Sequence, residues 1–260
     1  MVTLYIENKK DPLINDEAQE LICFATVHEV KSWQALLDLY FQLKRQNSVK
    51  KVLFLLEDIG QCEYTSMHAS IEDRLYFDTT ELVKDDLDSS WDNVKPFEFQ
   101  YHIQQLLKPE HLIEINRLYN KFNYSEQDLS LLIKINKYPE QILDEIIQVK
   151  LVDTTNETYK FAAQLNGYFA GDLNPFETFS LIQHLDQNFG LEYIGLGASL
   201  LFFIKTTRFN ESKIDELLNE LKKIYQSSQI GYIQLKQHLL AHQYLILPYV
   251  ESLEIFDFDE

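Results

Sequence analysis

The clearest periodicity in the chain is that of Ile214, Leu217, Leu218, Leu221, Ile224 and Tyr225, which recur at the spacing of one helix face. Ser212 and Asp215 ahead of them predict a capping box. A second helix is signalled by Asn174 as N-cap, Pro175 at the first helical position and Glu177 three residues after the cap. Gly190 stands where that helix would take a left-handed C-terminal residue, and Phe176, Phe179, Ile182, Leu185 and Phe189 give it one apolar face. Between the two helices, LEYIGLGASLLFFIKTT is rich in Leu, Ile and Phe and broken by Gly195 and Gly197. That pattern predicts two buried strands joined by a glycine turn, or one strand with a bulge. YKFAAQLNGYFAGDL in front reads as a further strand, so residues 159–226 predict strand, helix, strand or hairpin, helix.

The same patterning organises the N-terminal part. Residues 2–6 suggest an edge strand, the apolar run LICFATV (21–27) a buried strand, and VLFLL (52–56) another. Between the last two, Ser32 caps a predicted helix with Trp33, Leu36, Leu37, Tyr40 and Leu43 on one face and Lys44 and Arg45 in its last turn. Residues 98–147 read as four short helices with breaks. Pro109 opens the second, Ser125 and Asp128 form a capping box for the third, and Pro139 opens the fourth. QVKLV (148–152) returns the chain to a sheet, and a helix over 232–242 and a strand over 244–247 stopped by Pro248 complete it. The expected class is α+β: two small mixed α/β units with antiparallel or mixed sheets, joined by a helical segment. The divisions fall at 1–95, 96–147 and 148–260. A single sheet shared by both units, with the helices covering one face, is the alternative.

Composition supports a folded globular protein with a sizeable core: 45% of the 260 residues are hydrophobic and 13% aromatic. Charge changes the picture more. The chain carries 23 basic against 41 acidic residues, a formal net charge of −18. Such a field disfavours nucleic acid and anionic membrane surfaces and attracts basic proteins. Cys23 and Cys62 form no C-x-x-C pair and read as reduced structural thiols. The N-terminus shows no secretory pattern, and LLFFI and VLFLL are too short to span a bilayer, so the expected location is the cytoplasm.

Half of the net charge lies in one segment. Between Glu57 and Asp92, eleven carboxylates face only Arg74 and Lys84, a local balance of −9. Aromatic residues are interleaved with them. Rings supply anchors and carboxylates supply steering, which is what a surface for a basic protein needs. The candidate partner-binding residues are Tyr64, Tyr76, Phe77, Asp78, Asp85, Asp86, Asp88 and Trp91. The plainer reading is a solvated loop whose rings tuck into the core.

No catalytic signature appears. His238 and His242 share a helix face at metal-binding spacing, but the residues between them are Leu239, Leu240 and Ala241, and no third ligand is fixed. A structural pair is expected, with no metal and no cofactor. Gly195-Leu196-Gly197-Ala198-Ser199 lacks the third glycine and the following helix of a dinucleotide-binding turn. Asp172 and Glu177 near the Pro175 helix start read as capping carboxylates with lowered pKa rather than as a catalytic pair.

GYFAGDLNPFETFSLIQHLDQNFGLEYIGLGASLLFF, about a seventh of the chain, is similar to uncharacterised bacterial proteins that pair a GDL-x-P-x-E helix start with a GLG-x-S strand. In overall character the chain resembles the cytosolic immunity proteins of interbacterial toxin systems, which are acidic, aromatic-rich, motif-poor and α+β. The resemblance transfers no residue. It implies a cytosolic protein that neutralises a basic toxin by direct contact. The alternatives are an enzyme of unrecognised type, with carboxylates or His184 in a pocket between the α+β units, and an intracellular adaptor.

Overall fold

The computed structural model describes residues 3–5, 13–80, 91–226, 229–256 and 258; the side chains of Thr3, Leu4, Trp91, Gln229 and Ile230 are likewise outside the description. Seven strands form one mixed sheet: β1 (Thr3–Tyr5), β2 (Ala25–His28), β3 (Lys51–Leu55), β4 (Ile146–Val152), β5 (Leu191–Leu196), β6 (Leu200–Lys205) and β7 (Tyr244–Pro248). Their spatial order is β1-β2-β4-β3-β5-β6-β7. All neighbours are antiparallel except β3 and β5, which run parallel through Phe54–Gly195 and Leu55–Leu196. The α+β class with a mixed sheet therefore holds, and the strands expected in two units lie in one sheet.

Among the described residues eight α-helices flank it: α1 (Asp16–Cys23), α2 (Trp33–Gln46), α3 (Ile59–Ser70), α4 (Lys95–Leu106), α5 (Glu126–Lys137), α6 (Pro175–His184), α7 (Ile214–Tyr225) and α8 (Gln229–Ala241). The capping signals at α2, α5 and α6 act as read. Ser32 accepts from the Ala35 N–H, and Ser125–Asp128 and Asn174–Glu177 are reciprocal capping boxes. A π-turn (Leu185–Phe189) extends α6 to Gly190, whose φ of 68° is left-handed. A Cβ there would lie 2.6 Å from the Phe209 nitrogen, so both the dihedral and the close approach require glycine.

Several expectations are corrected. The 21–27 run is not one strand: Asn15 caps α1, which ends at Cys23, and β2 begins at Ala25. Both halves are buried, so the apolar run hides the switch of element. Residues 57–80 are not a loop throughout, because α3 occupies 59–70. The helix expected from Pro109 is two short 3₁₀ turns, Pro109–His111 and Ile115–Leu118. Beyond them, the N–H groups of Asn120, Phe122 and Tyr124 donate to the carbonyls of Lys223, Ile224 and Tyr225, satisfying the end of α7 from an extended segment. Pro139 likewise opens only a 3₁₀ turn. Ser212 and Asp215 form no capping box. Instead Asn210 accepts from the Ser212 N–H and hydroxyl and caps a 3₁₀ turn leading into α7.

The strand expected in YKFAAQLNGYFAGDL is a 3₁₀ turn (Tyr159–Ala163) followed by irregular chain. What holds it is a buried charge network rather than a ladder. Lys160, fully buried, donates to the Tyr40 hydroxyl and to Glu157, both at 2.9 Å. Tyr40 donates to Glu192 at 2.7 Å, and Lys44 pairs with Glu157 and Glu192 at 2.8 and 2.5 Å. Burial pushes the Glu157 carboxyl up, but Lys160 and Lys44 overcome it and hold the group down at about 2.

Gly195 and Gly197 belong to sheet packing. β5 and β6 are two strands joined by a turn, and a bulge lies between Tyr193 and Gly195. A Cβ on Gly197 would fall 2.3 Å from the Glu57 carboxylate. That carboxylate accepts the Ser199 N–H at 3.0 Å, so the glycine spacing makes room for a buried acid.

Candidate functional site

Helix α3 leaves the sheet directly after β3. Asp58, at a left-handed φ of 38°, caps it by accepting from the Gln61 N–H at 3.2 Å, and Asp144 accepts from the Ile59 N–H at 3.1 Å. Two carboxylates therefore meet the positive end of the helix. Its inner face is small and polar-tolerant, with Ile59, Cys62, Thr65 and Ala69 buried. Tyr64 and Met67 on α3 and Ile71 just beyond it are left exposed.

Tyr64 is the start of an aromatic strip. It is 47% exposed and its ring meets His68 at 4.4 Å; His68 lies 4.4 Å from Tyr168, which meets Phe169 at 5.3 Å. Tyr168 and Phe169 are themselves 47% and 51% exposed. Contiguous exposed rings of this kind mark interaction surfaces, since a chain with no further use for them would bury them or replace them with polar groups. His68, Ile71, Tyr168 and Phe169 share the wall of a cleft of about 480 Å³, which Arg74, Lys121 and Asp172 complete.

The segment that carries Tyr64 also exposes acidic side chains. Glu63 and Asp73 are exposed, as is Asp78. Asp78 accepts from the Thr80 hydroxyl and N–H at 2.5 and 2.9 Å, and these bonds hold its pKa below the usual carboxylate value. The nearby cations are already engaged. Arg74 pairs with Glu72 at 2.6 Å and lies 4.1 Å over the Phe176 ring, and Lys121 pairs with Glu177 at 3.0 Å.

Of the residues singled out in the sequence, Tyr64 lies in the strip. Tyr76 is exposed further along the same segment, and Phe77 packs against Tyr101 with ring centres 5.3 Å apart. Buried Leu75 anchors this stretch, its carbonyl 3.1 Å from Nε2 of His102. Asp85, Asp86 and Asp88 lie outside the described residues. Trp91 begins a 3₁₀ turn, and its side chain is outside the description as well. Sequence reasoning missed Tyr168 and Phe169. Their signal was two adjacent rings between Gly167 and Gly171 in a segment that lacks strand alternation.

Asp172 is a correction. Asn174 and Glu177 alone cap α6, while burial and then the neighbouring Glu251 raise the Asp172 pKa to about 6 rather than lowering it. His184 pairs with Glu220 at 2.5 Å and lies outside the cleft walled by Tyr168 and Phe169. His238 donates Nε2–H to the Tyr244 carbonyl at 3.0 Å and stacks on His242 at 4.6 Å. Burial lowers its pKa to about 4, so it is neutral at physiological pH. Among the described residues no group of three or more His, Cys, Asp or Glu side chains is placed to hold a metal ion, and no helix is long and apolar enough to cross a membrane.

No family model, curated protein or solved structure matches the chain. Its function is therefore read from its own surface. A second cleft, of about 250 Å³, lies on the other side of α3 and is lined by Glu63, Met67 and His102 together with Lys150 from β4. Helix α3 is thus a ridge with a cleft on either flank.

Proposed function

We propose that this chain is a cytoplasmic protein-binding module that docks a basic protein on the α3 ridge, in the manner of the immunity proteins whose composition it resembles, and neutralises a cognate toxin by direct contact. The single observation that carries the reading is the exposed aromatic strip Tyr64–His68–Tyr168–Phe169, on a chain whose α3 segment also exposes Glu63, Asp73 and Asp78 and whose Arg74 and Lys121 are paired. The rings provide area that is desolvated on contact, and the net charge of −18 raises the encounter rate with a cation-rich surface. Asp85, Asp86 and Asp88 continue the same acidic segment in sequence, and their charge adds to the steering.

The test is capture of a partner from the native cell lysate at low and high salt, repeated with variants. Tyr64→Ala with Tyr168→Ala should weaken capture roughly ten-fold or more, as loss of two central rings does at an interface. Phe41→Ala, an exposed ring on α2, should leave it unchanged. Reversing Asp85, Asp86 and Asp88 to lysine should slow association and flatten its salt dependence. If the captured protein is an enzyme, its inhibition by this chain should follow the same order of variants. A partner held equally by the Tyr64/Tyr168 variant and by the wild type would remove the ridge from the proposal.

A further inference from the structure

The smaller cleft beside α3 contains a buried amine that forms no ion pair among the described residues. Lys150 lies in the interior of β4, only 7% exposed, yet it lines the cleft. Its Nζ donates to Oε1 of Gln164 at 2.7 Å, and it forms no ion pair with any described residue. Gln164 is fixed in turn, because its Nε2 donates to the Cys62 carbonyl at 3.2 Å. The amide oxygen is therefore aimed at the amine and orients it without neutralising it.

The groups facing Lys150 from the packed elements leave it in that condition. From α3 come Cys62, whose thiol burial pushes up to about 12 and so keeps neutral, and Glu63, whose carboxylate is held by the Gln148 amide at 3.0 Å. From α4 come Lys95 and Glu98, paired with each other at 2.8 Å, and His102, both of whose ring nitrogens face backbone carbonyls. Cys23 faces it from the end of α1. Burial is the dominant influence and draws the Lys150 pKa from 10.5 to about 8. A strand interior with no use for an amine would be better filled by an apolar side chain of the same length.

We propose that Lys150 is a carbonyl-capturing amine, and that the cleft admits a small aldehyde or ketone to it. The Nζ lone pair forms a bond to the carbonyl carbon while the carbonyl oxygen takes up the proton released from nitrogen, giving a carbinolamine. That hydroxyl then takes up the remaining proton of the nitrogen and leaves as water, while the nitrogen lone pair forms the carbon–nitrogen double bond of an imine. No oxidant or reductant is consumed. The cleft volume of about 250 Å³ limits the ligand to a small molecule.

The test uses the full chain, propanal as the carbonyl and sodium cyanoborohydride to fix the imine, with peptide mapping of the propylated lysines at pH 7. Lys150 should be labelled roughly ten-fold faster than exposed Lys222, since burial leaves more of the Lys150 amine unprotonated than the ordinary lysine value would. Its labelling rate should rise with pH around a midpoint near 8. Lys150→Met should abolish that one label and leave the others. The decisive comparison is between two lysines of the wild-type chain, so a variant that folds poorly does not blur it. Labelling of Lys150 no faster than that of Lys222, or with a midpoint in the ordinary lysine range, would overturn the proposal.

Discussion

At the scale of single residues, the chain's most consequential choice is to bury acids and amines that the sheet could have done without. Glu57 is the clearest case. It is 4% exposed, its carboxylate accepts the Ser199 N–H, and burial outweighs that bond to raise its pKa to about 8. Between pH 4.5, its ordinary value, and about 8 the folded chain holds a proton that the unfolded chain has lost. The stability from Glu57 is thus full below pH 4.5 and is lost as the pH rises through that window. His238 has the opposite sign, since its pKa is lowered to about 4 and stability is lost as pH falls through the range below 6.5. Comparing wild type with Glu57→Gln isolates the first effect. Unfolding free energies from urea titrations at pH 5.5 and 8.5 should fall with pH in the wild type by an amount on the order of 2–4 kcal/mol, and the fall should be much smaller in the variant. Equal slopes in the two proteins would show that Glu57 titrates normally.

At the scale of elements, strand β7 shows how a sheet edge is closed without another strand. Its outward-facing backbone groups are taken by side chains. His238 donates to the Tyr244 carbonyl and Tyr225 to the Pro248 carbonyl at 2.6 Å, and just past the strand Tyr124 donates to the Val250 carbonyl at 2.6 Å. Asn136 of α5 donates to the Ile246 carbonyl at 2.9 Å and accepts the Ile246 N–H at 2.8 Å, copying one rung of a ladder. Pro248, which has no N–H to satisfy, fits this edge for the same reason. Asn136→Ala should cost about 2–4 kcal/mol in urea unfolding, because it strands a buried donor and a buried acceptor together. A loss below about 1 kcal/mol would mean that water replaces the amide. Such contacts also mark where the sequence stops being readable. Helices α2, α6 and α7 were legible because an apolar stripe and, at α2 and α6, a capping side chain coincide. Strands β3, β5 and β6 were legible because they are continuous apolar runs bounded by polar or glycine positions. Helix α3 was not, since its buried positions include Cys62, Thr65 and Ala69, which carry little periodic signal. The 159–173 segment was misread because Lys160 and Gln164 are buried through partners far away in sequence. In the candidate site, Tyr64 was legible as a ring in an acidic stretch, but its meeting with Tyr168 across a hundred residues was not.

At the scale of the whole molecule, the question is whether the two halves of the chain are separable. Strand pairing alone suggests a weak seam, because β3 and β5 share only two registered residue pairs, supplemented by the Leu56 N–H to the Leu196 carbonyl at 2.9 Å. Everything around the seam crosses it. Helix α2 from the N-terminal half packs Trp33 against Phe202 and Tyr244, and Tyr40 against Phe54 while bonding Glu192. The Lys44–Glu157–Lys160–Glu192 network ties the same helix to both sides. In the other direction, β4 is inserted between β2 and β3, so residues 148–260 alone would carry a strand with no neighbour and a β5 edge left open. The halves should therefore unfold together. Hydrogen exchange followed by mass spectrometry should give peptides from β2 and β4 and peptides from β6 the same opening free energy. A fragment of residues 148–260 should show no cooperative urea transition. If β6 stayed protected under conditions that open β2 and β4, the seam at β3 and β5 would be a true boundary. The α3 ridge, which rises from the end of β3 and meets Tyr168 and Phe169 of the other half, would then be a surface that exists only while the two are docked.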